Sequence, residues 1–231
     1  MYKVFRKELK YPISVLDFAL LRKKLEPLVH SDSHSGDNGY QVRSLYFDSI
    51  DDQDLFDTLN GNMEKRKIRL RYYPPNTDVI HLEYKCKSGS DVIKHSIKLS
   101  KRDAERLMLG DYSMLLDFQE SLAQQLLAQQ IYARLMLGGY QPKVIVDYRR
   151  LAYTYPVSNT RITYDTEVSA SYIIHSFFDE NPGLVPITAP NTGVLEVKYN
   201  HFLVGILKEV LQSVDSLHSA NSKYAYSRFL F

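Results

Sequence analysis

The chain has 231 residues, 44% of them apolar and 24% charged, with a formal net charge of +2; this composition supports a substantial core and excludes disorder. So small a net charge argues against a broad basic nucleic-acid footprint. A single cysteine, Cys86, excludes an internal disulfide framework and a multi-cysteine zinc site.

The amino terminus, MYKVFRKELKY, carries charges where a signal peptide needs an apolar core, and no stretch reaches membrane-spanning length. The expectation is a cytoplasmic chain with no membrane insertion, compatible with docking onto a separate membrane-protein partner.

In chain order, residues 2–11 read as a strand ended by Pro12, and Ser14 as the N-cap of a helix carrying Val15, Phe18, Leu21, Leu25 and Leu28. The polar segment from His30 to Gly39 predicts a mobile loop. Residues 40–48 predict a strand and 51–59 a short helix. Residues 66–73 and 79–87 form a hairpin pattern around PPNTD, and 92–99 a third antiparallel strand. Ser100 and Asp103 resemble a capping box opening a helix to about Leu109. Residues 113–137 predict the longest helix, stopped at Gly138-Gly139. Strands return at 142–155, 160–168 and 193–199, with a Pro-containing loop at 181–192; helices at about 201–214 and from Ser222 close the chain. No segment reads as a flexible linker, so one domain over 1–231 is expected. The pattern suits an antiparallel β-barrel of about eight strands with helices outside, not alternating parallel units.

These strands place charge on every second residue: Arg69 and Arg71, then Glu83, Lys85 and Lys87, then Arg161 and Asp165, then Glu196 and Lys198. Side chains alternate across a strand, so each set shares a face, while Ile68, Leu70, Leu82, Tyr84, Ile162, Tyr164, Leu195 and Val197 form the opposite, packing face. Ten basic residues are candidates for the charged lining: Lys10, Arg69, Arg71, Lys85, Lys87, Lys98, Arg150, Arg161, Lys198 and Lys223. With Glu8, Glu83, Asp165 and Glu196 this set carries +6, so the remainder of a +2 chain carries −4. Phosphate oxygens are the ligands best able to replace the hydration of so many guanidinium and ammonium groups. A carboxylate among them, Glu196 foremost, can hold Mg²⁺ or Mn²⁺ against phosphate, or can neutralise a lysine. One Glu-x-Lys on a strand is ordinarily a solvated face with cross-strand ion pairs. Recurrence in nearly every strand is what points to a polar cavity.

Other chemistries lack their residues. No G-x-x-x-x-G-K or G-x-G-x-x-G is present, the seven histidines lack metal-ligand pairing, and Cys86 has the position of a packing residue. The eighteen tyrosines lie mostly on strands and in the terminal helix, where packing accounts for them better than stacking on nucleic acid.

The segments RKELKY (6–11), SLYFD (44–48), KIRLRYY (67–73), LEYKCK (82–87), DYRRLAY (147–153), RITYDTEV (161–168), VLEVKYN (194–200) and SKYAYS (222–227) resemble, in order, the VTC-type polyphosphate polymerase domain of the triphosphate tunnel metalloenzyme (CYTH-like) superfamily. The resemblance implies an α+β fold whose antiparallel β-barrel forms a triphosphate tunnel. It implies phosphate contacts from Lys10, Arg69, Arg71, Lys85, Arg150, Arg161 and Lys198, further substrate contacts from Lys87, Lys98, Ser222 and Lys223, and a divalent metal, Mn²⁺ or Mg²⁺, on Glu196. The Glu-x-Glu-x-Lys of the hydrolytic relatives is Arg6-x-Glu8-x-Lys10 here, which weakens a two-metal hydrolase reading. The implied activity is transfer of the γ-phosphate of ATP to polyphosphate. The alternatives are a tripolyphosphatase or nucleoside triphosphatase of the same fold, or a non-catalytic polyphosphate- or nucleotide-binding module.

Overall fold

A computed structural model describes residues 6–89, 91–213 and 221–229. Its strands are β1 (Arg6–Ser14), β2 (His30–Ser31), β3 (Tyr40–Asp48), β4 (Glu64–Tyr73), β5 (Asn76–Ser88), β6 (Asp91–Leu99), β7 (Gln141–Tyr155), β8 (Thr160–Ser171), β9 (Val185–Pro186) and β10 (Thr192–Asn200). The helices are α1 (Val15–Leu25), α2 (Gln53–Leu59), α3 (Lys101–Met108), α4 (Leu122–Leu137), α5 (Gly205–Gln212) and α6 (Lys223–Ser227). The chain is α+β, its ten strands outnumbering the expected eight because the two-residue β2 and β9 carry no hydrophobic pattern of their own.

The residues fall into two compact units. Of the described residues, those within 1–41, 147–169 and 186–222 form the first, and those within 42–146, 170–185 and 223–231 the second. In the first, the strand path runs β1-β10-β8-β7, with β2 beside β7; the pairs β1–β10 and β10–β8 are antiparallel. Its apolar face carries Ile162, Tyr164, Leu195 and Val197, covered by Phe18, Leu21 and Leu25 of α1 and Leu207 and Leu211 of α5. Helix α1 begins where Ser14 accepts the Asp17 N–H at 3.0 Å, and Phe18 stacks on Tyr164 with ring centroids 3.8 Å apart. Each of these buried side chains stabilises the unit by about 1.5–3 kcal/mol relative to exposure.

In the second unit the path runs β7-β3-β4-β5-β6, with antiparallel register through β3, β4, β5 and β6. Leu45, Ile68, Leu70, Leu82 and Ile97 form the apolar face, and α3 and α4 cover it with Ala104, Leu107, Ala128, Ile131 and Leu135. Cys86 is partly buried against this core, a packing position as expected.

Several boundaries differ from the sequence pattern. Pro12 does not end β1: residue 12 pairs with Val194, and because β1 lies at the end of its unit's path the missing N–H costs no ladder bond on the outer side. Residues 2–5 of the expected strand lie outside the described residues. The segment from His30 to Gly39 is tied down, with Asp32 N donating to the Ala152 carbonyl and Ala152 N to Ser35 Oγ, both at 2.9 Å.

The expected helix over 113–137 is a 3-10 turn at Ser113–Leu115 and then α4 from Leu122. Leu115 is fully buried, yet a continuous helix would set it on the far side from Ile131. The break at Ser121, in extended conformation, lets both reach the core. Helix α5 starts at Gly205 rather than 201 because His201 adopts a left-handed φ of 57°. Residue 214, the expected end, is outside the described residues.

One glycine couples backbone to site in the first unit. Gly39 has φ +72°, and a Cβ there would lie 2.3 Å from the carbonyl oxygen of Arg150. Gly39→Ala is expected to destabilise the protein by about 2 kcal/mol through backbone strain and this clash. Urea unfolding checks it: a lower midpoint with an unchanged m-value is the expected result, and wild-type stability would refute the steric reading.

Candidate functional site

In the first unit the strand register sorts the charged residues into rows. Glu8, Lys198 and Arg161 stand side by side across β1, β10 and β8, and Lys10, Glu196 and Thr163 form the neighbouring row. Lys10 Nζ lies 3.0 Å from Glu8 Oε1 and donates to the Asn221 carbonyl at 2.8 Å, beside half-buried Ser222. Lys198 pairs with Glu196, itself only 5% exposed.

Arg150, on β7, presents a two-pronged guanidinium to Asp165, with bonds of 2.6 and 2.7 Å, and lies over the Tyr148 ring at 5.2 Å. Burial works against the Arg150 charge, but Tyr148 and the fully buried Asp165 outweigh it and raise its pKa well above the usual guanidinium value. Arg161 donates to Asp32 Oδ2 at 2.9 Å and to the Tyr40 hydroxyl at 3.2 Å. Two polar atoms of this face are buried without a hydrogen-bond partner among the described residues, Arg161 Nε and Thr163 Oγ1. A buried donor left open in this way is costly, and an anionic or oxygen ligand relieves it.

In the second unit Glu83, 3% exposed, is the centre of the charged face. Its Oε2 takes Arg69 Nε at 2.7 Å and Nη2 at 2.6 Å, its Oε1 takes Lys94 Nζ at 2.6 Å, and Arg71 Nη1 is 3.8 Å away. Arg71 is further held by Ser44 Oγ at 3.1 Å. Burial alone would raise the Glu83 pKa, but Arg69, Arg71 and Lys94 overcome it and hold the carboxyl far below its ordinary value.

Arg69 also donates to the Tyr46 hydroxyl at 2.8 Å. Burial pushes that hydroxyl up, whereas Arg69, Arg71 and Lys67 together pull it down to about 8. Tyr46 stacks on Tyr224 of α6 at 5.0 Å, and the Tyr224 hydroxyl donates to Asp48, which also caps the α2 turn through the Asp54 and Leu55 N–H groups at 2.9 Å. Beside this network the register sets Lys67, Lys85 and Lys94 directly opposite one another on β4, β5 and β6. Like charges facing across strands destabilise a sheet, a cost that Glu83 offsets at Lys94.

The sequence-predicted residues therefore divide. Lys10, Arg150, Arg161, Glu196 and Lys198 gather on one face of the first unit, and Arg69, Arg71 and Lys85 on one face of the second. Lys87 and Lys98 share the parity of the second face but are solvent-exposed, because they stand toward the ends of the strand pairings. Lys223 opens α6 and is half-buried.

Residues left out of the ten-residue lining are Lys67, Lys94, Tyr46 and Thr163. Lys67 continues the alternation of Arg69 and Arg71 by one step, and Lys94 shares its strand face with Ser96 and Lys98. Tyr46 and Thr163 are uncharged and carried no signal.

A magnesium-type ion facing phosphate needs only one or two protein carboxylates, since phosphate oxygens and water complete its shell. Glu196, with the open Thr163 hydroxyl in its row, fits such an ion. Among the described residues no group of three or more His, Cys, Asp and Glu side chains converges, so a closed all-protein cage is not what they offer.

The VTC domain family model matches residues 5–230. No curated protein matches the chain. Among solved structures, a candidate adenylate cyclase from Bacillus halodurans is similar at 14% identity and a TM-score of 0.56, covering 98% of this chain and 100% of that one. A candidate adenylyl cyclase from Hippeastrum, described as having dominant triphosphatase activity, is similar at 16% identity and a TM-score of 0.56, over 96% of this chain and 94% of that one. At these identities the likenesses establish the fold.

Two pH signatures follow from the second face. The depressed Glu83 carboxyl contributes stability that is fully present above its ordinary value of 4.5 and is lost as pH falls toward its folded-state value. Glu83→Gln is expected to lose about 3–5 kcal/mol near neutrality, by leaving Arg69 and Arg71 uncompensated, and to show a shallower acid-side decline in urea midpoints than wild type. Tyr46 is expected to appear in tyrosinate absorbance as a step near pH 8, absent in Tyr46→Phe; an unchanged titration in that variant would refute the assignment.

Proposed function

This chain belongs to the VTC domain family, and from that premise we propose that it is a metal-dependent polyphosphate polymerase, transferring the γ-phosphate of ATP to a polyphosphate chain. The observation that carries the reading is the Lys67–Lys85–Lys94 row flanked by Arg69 and Arg71. It is a surplus of cations on adjacent strands that closely spaced phosphates neutralise together, as a single carboxylate substrate does not.

In this reading a terminal phosphate oxygen of the acceptor attacks the γ-phosphorus of ATP, the bond from that phosphorus to the β,γ-bridging oxygen breaks, and ADP leaves with the electron pair. A phosphate oxygen is already anionic, so no general base is required. The protein's work is positioning and charge stabilisation. Arg69, Arg71 and Lys85 of the second unit, and Lys10, Arg150, Arg161 and Lys198 of the first, bind and orient phosphate oxygens. Arg69 and Arg150 reach the reaction already oriented by Glu83 and Asp165, so little reorganisation is needed as charge shifts onto the leaving oxygen. Lys223, Ser222, Lys87 and Lys98 are assigned to the substrate's remaining phosphates. A divalent cation, Mn²⁺ or Mg²⁺, held by Glu196, would supply neutralisation of the phosphate oxygens.

The fold likeness to a protein with triphosphatase activity favours hydrolysis as the second reading, and the products separate the two. Purified protein with ATP and Mn²⁺ is expected to make acid-labile polymer with stoichiometric ADP. Orthophosphate without polymer would establish the hydrolase, and unchanged ATP a binding module.

Arg69→Ala and Arg150→Ala are each expected to lower turnover about 10²–10³-fold. Glu196→Gln is expected to abolish turnover while tripolyphosphate binding, followed by calorimetry, survives in part. Full activity in Glu196→Gln would remove that residue from the mechanism.

A further inference from the structure

The first unit carries a second concave site, on the other face of its sheet. Because β1 alternates, Lys7 and Tyr11 point away from the face that holds Glu8 and Lys10. Together with Tyr199 at the end of β10, the turn that follows it and helix α5, they line a cavity of about 490 Å³. That size is within the range of small-molecule sites.

The chemistry of its wall is one-sided. Among the described residues, Lys7, His201 and Lys208 bring basic nitrogens, no carboxylate lines the cavity, and none of these three side chains has a hydrogen-bond or ion-pair partner. Tyr11, Tyr199 and Phe202 supply aromatic surface. Phe202 is 59% exposed, and its placement is enforced: its N–H donates to the Asn200 carbonyl at 2.6 Å across His201, whose φ of 57° is left-handed. A non-glycine residue stays in that conformation only where its surroundings hold it, and such residues concentrate at ligand-binding edges.

A neutral ring would leave the cations without a counter-charge, and a bare anion would leave the aromatic wall wet. A ligand with both parts engages the whole wall of the cavity. We propose that this pocket binds a small aromatic anion, a planar ring system bearing one phosphate, sulfonate or carboxylate group, at a site separate from the charged face of the same unit. The ring covers Phe202 and the tyrosine edges while the anionic group meets the Lys7 and Lys208 ammonium groups. This inference is independent of which phosphate chemistry the protein performs.

The test uses the full chain with anilinonaphthalene sulfonate as the fluorescent probe, and inorganic phosphate and naphthylmethanol as competitors that lack the ring and the charge, respectively. Saturable one-to-one binding is expected, weakened about tenfold or more in the K7A/K208A double variant and in Phe202→Ala. Lys7, Lys208 and Phe202 are exposed, so these variants are expected to unfold at the wild-type urea midpoint. Binding is expected to be unchanged in Lys10→Ala, which alters the opposite face. Wild-type affinity in K7A/K208A overturns the proposal, as do an absence of saturable binding, a loss that occurs in Lys10→Ala instead, or displacement of the probe by inorganic phosphate or by naphthylmethanol at concentrations comparable to the probe's own.

Discussion

A guanidinium can leave bulk water only where another group replaces its hydration, and the charged faces of this protein are organised around that requirement. In one unit Asp165, inaccessible to solvent, takes both prongs of Arg150. In the other, Glu83 holds Arg69 and Lys94 at 2.6 Å and stands 3.8 Å from Arg71. Each carboxylate offsets part of the desolvation of its cations, and each fixes their direction. The same arrangement leaves a positive excess, because one carboxylate serves several bases. An oriented excess of this kind suits a phosphate chain, whose oxygens meet donors already aimed.

The opposite faces make that expense tolerable. Ile68, Leu70, Leu82 and Ile97 in one unit, and Ile162, Tyr164, Leu195 and Val197 in the other, pack against helices and are almost wholly buried. Alternation at period two connects the two properties, so a strand that buries one face on helices necessarily presents its intervening residues elsewhere. Tyr46 shows how closely the faces are coupled to the rest of the second unit. It bonds Arg69, stacks on Tyr224 and through it reaches Asp48, which in turn organises the start of α2. The short helix α6 thus contributes to the orientation of Arg69.

The chain's alternation made most strands legible, and with them the candidates Arg69, Arg71, Lys85, Arg161, Glu196 and Lys198, because period two is a property of consecutive residues. It also made Cys86 readable as packing. What it missed has a common character. The separation of Leu115 from α4, the passage of β1 through Pro12 and the tethering of the loop from His30 to Gly39 each depend on partners far away in sequence. Propensity and spacing do not contain those partners.

By itself the sequence determined that charged and apolar faces exist, which residues belong to each, and that the positive charge is concentrated on one of them. Only the tertiary structure decided which charges meet. That Glu83 gathers Arg69, Arg71 and Lys94, that Lys67, Lys85 and Lys94 face one another, and that Thr163 stands open beside Glu196 all follow from strand register. Register is set by the packing of whole apolar faces on their helices, a sum over many distant contacts, so no local stretch of sequence specifies it.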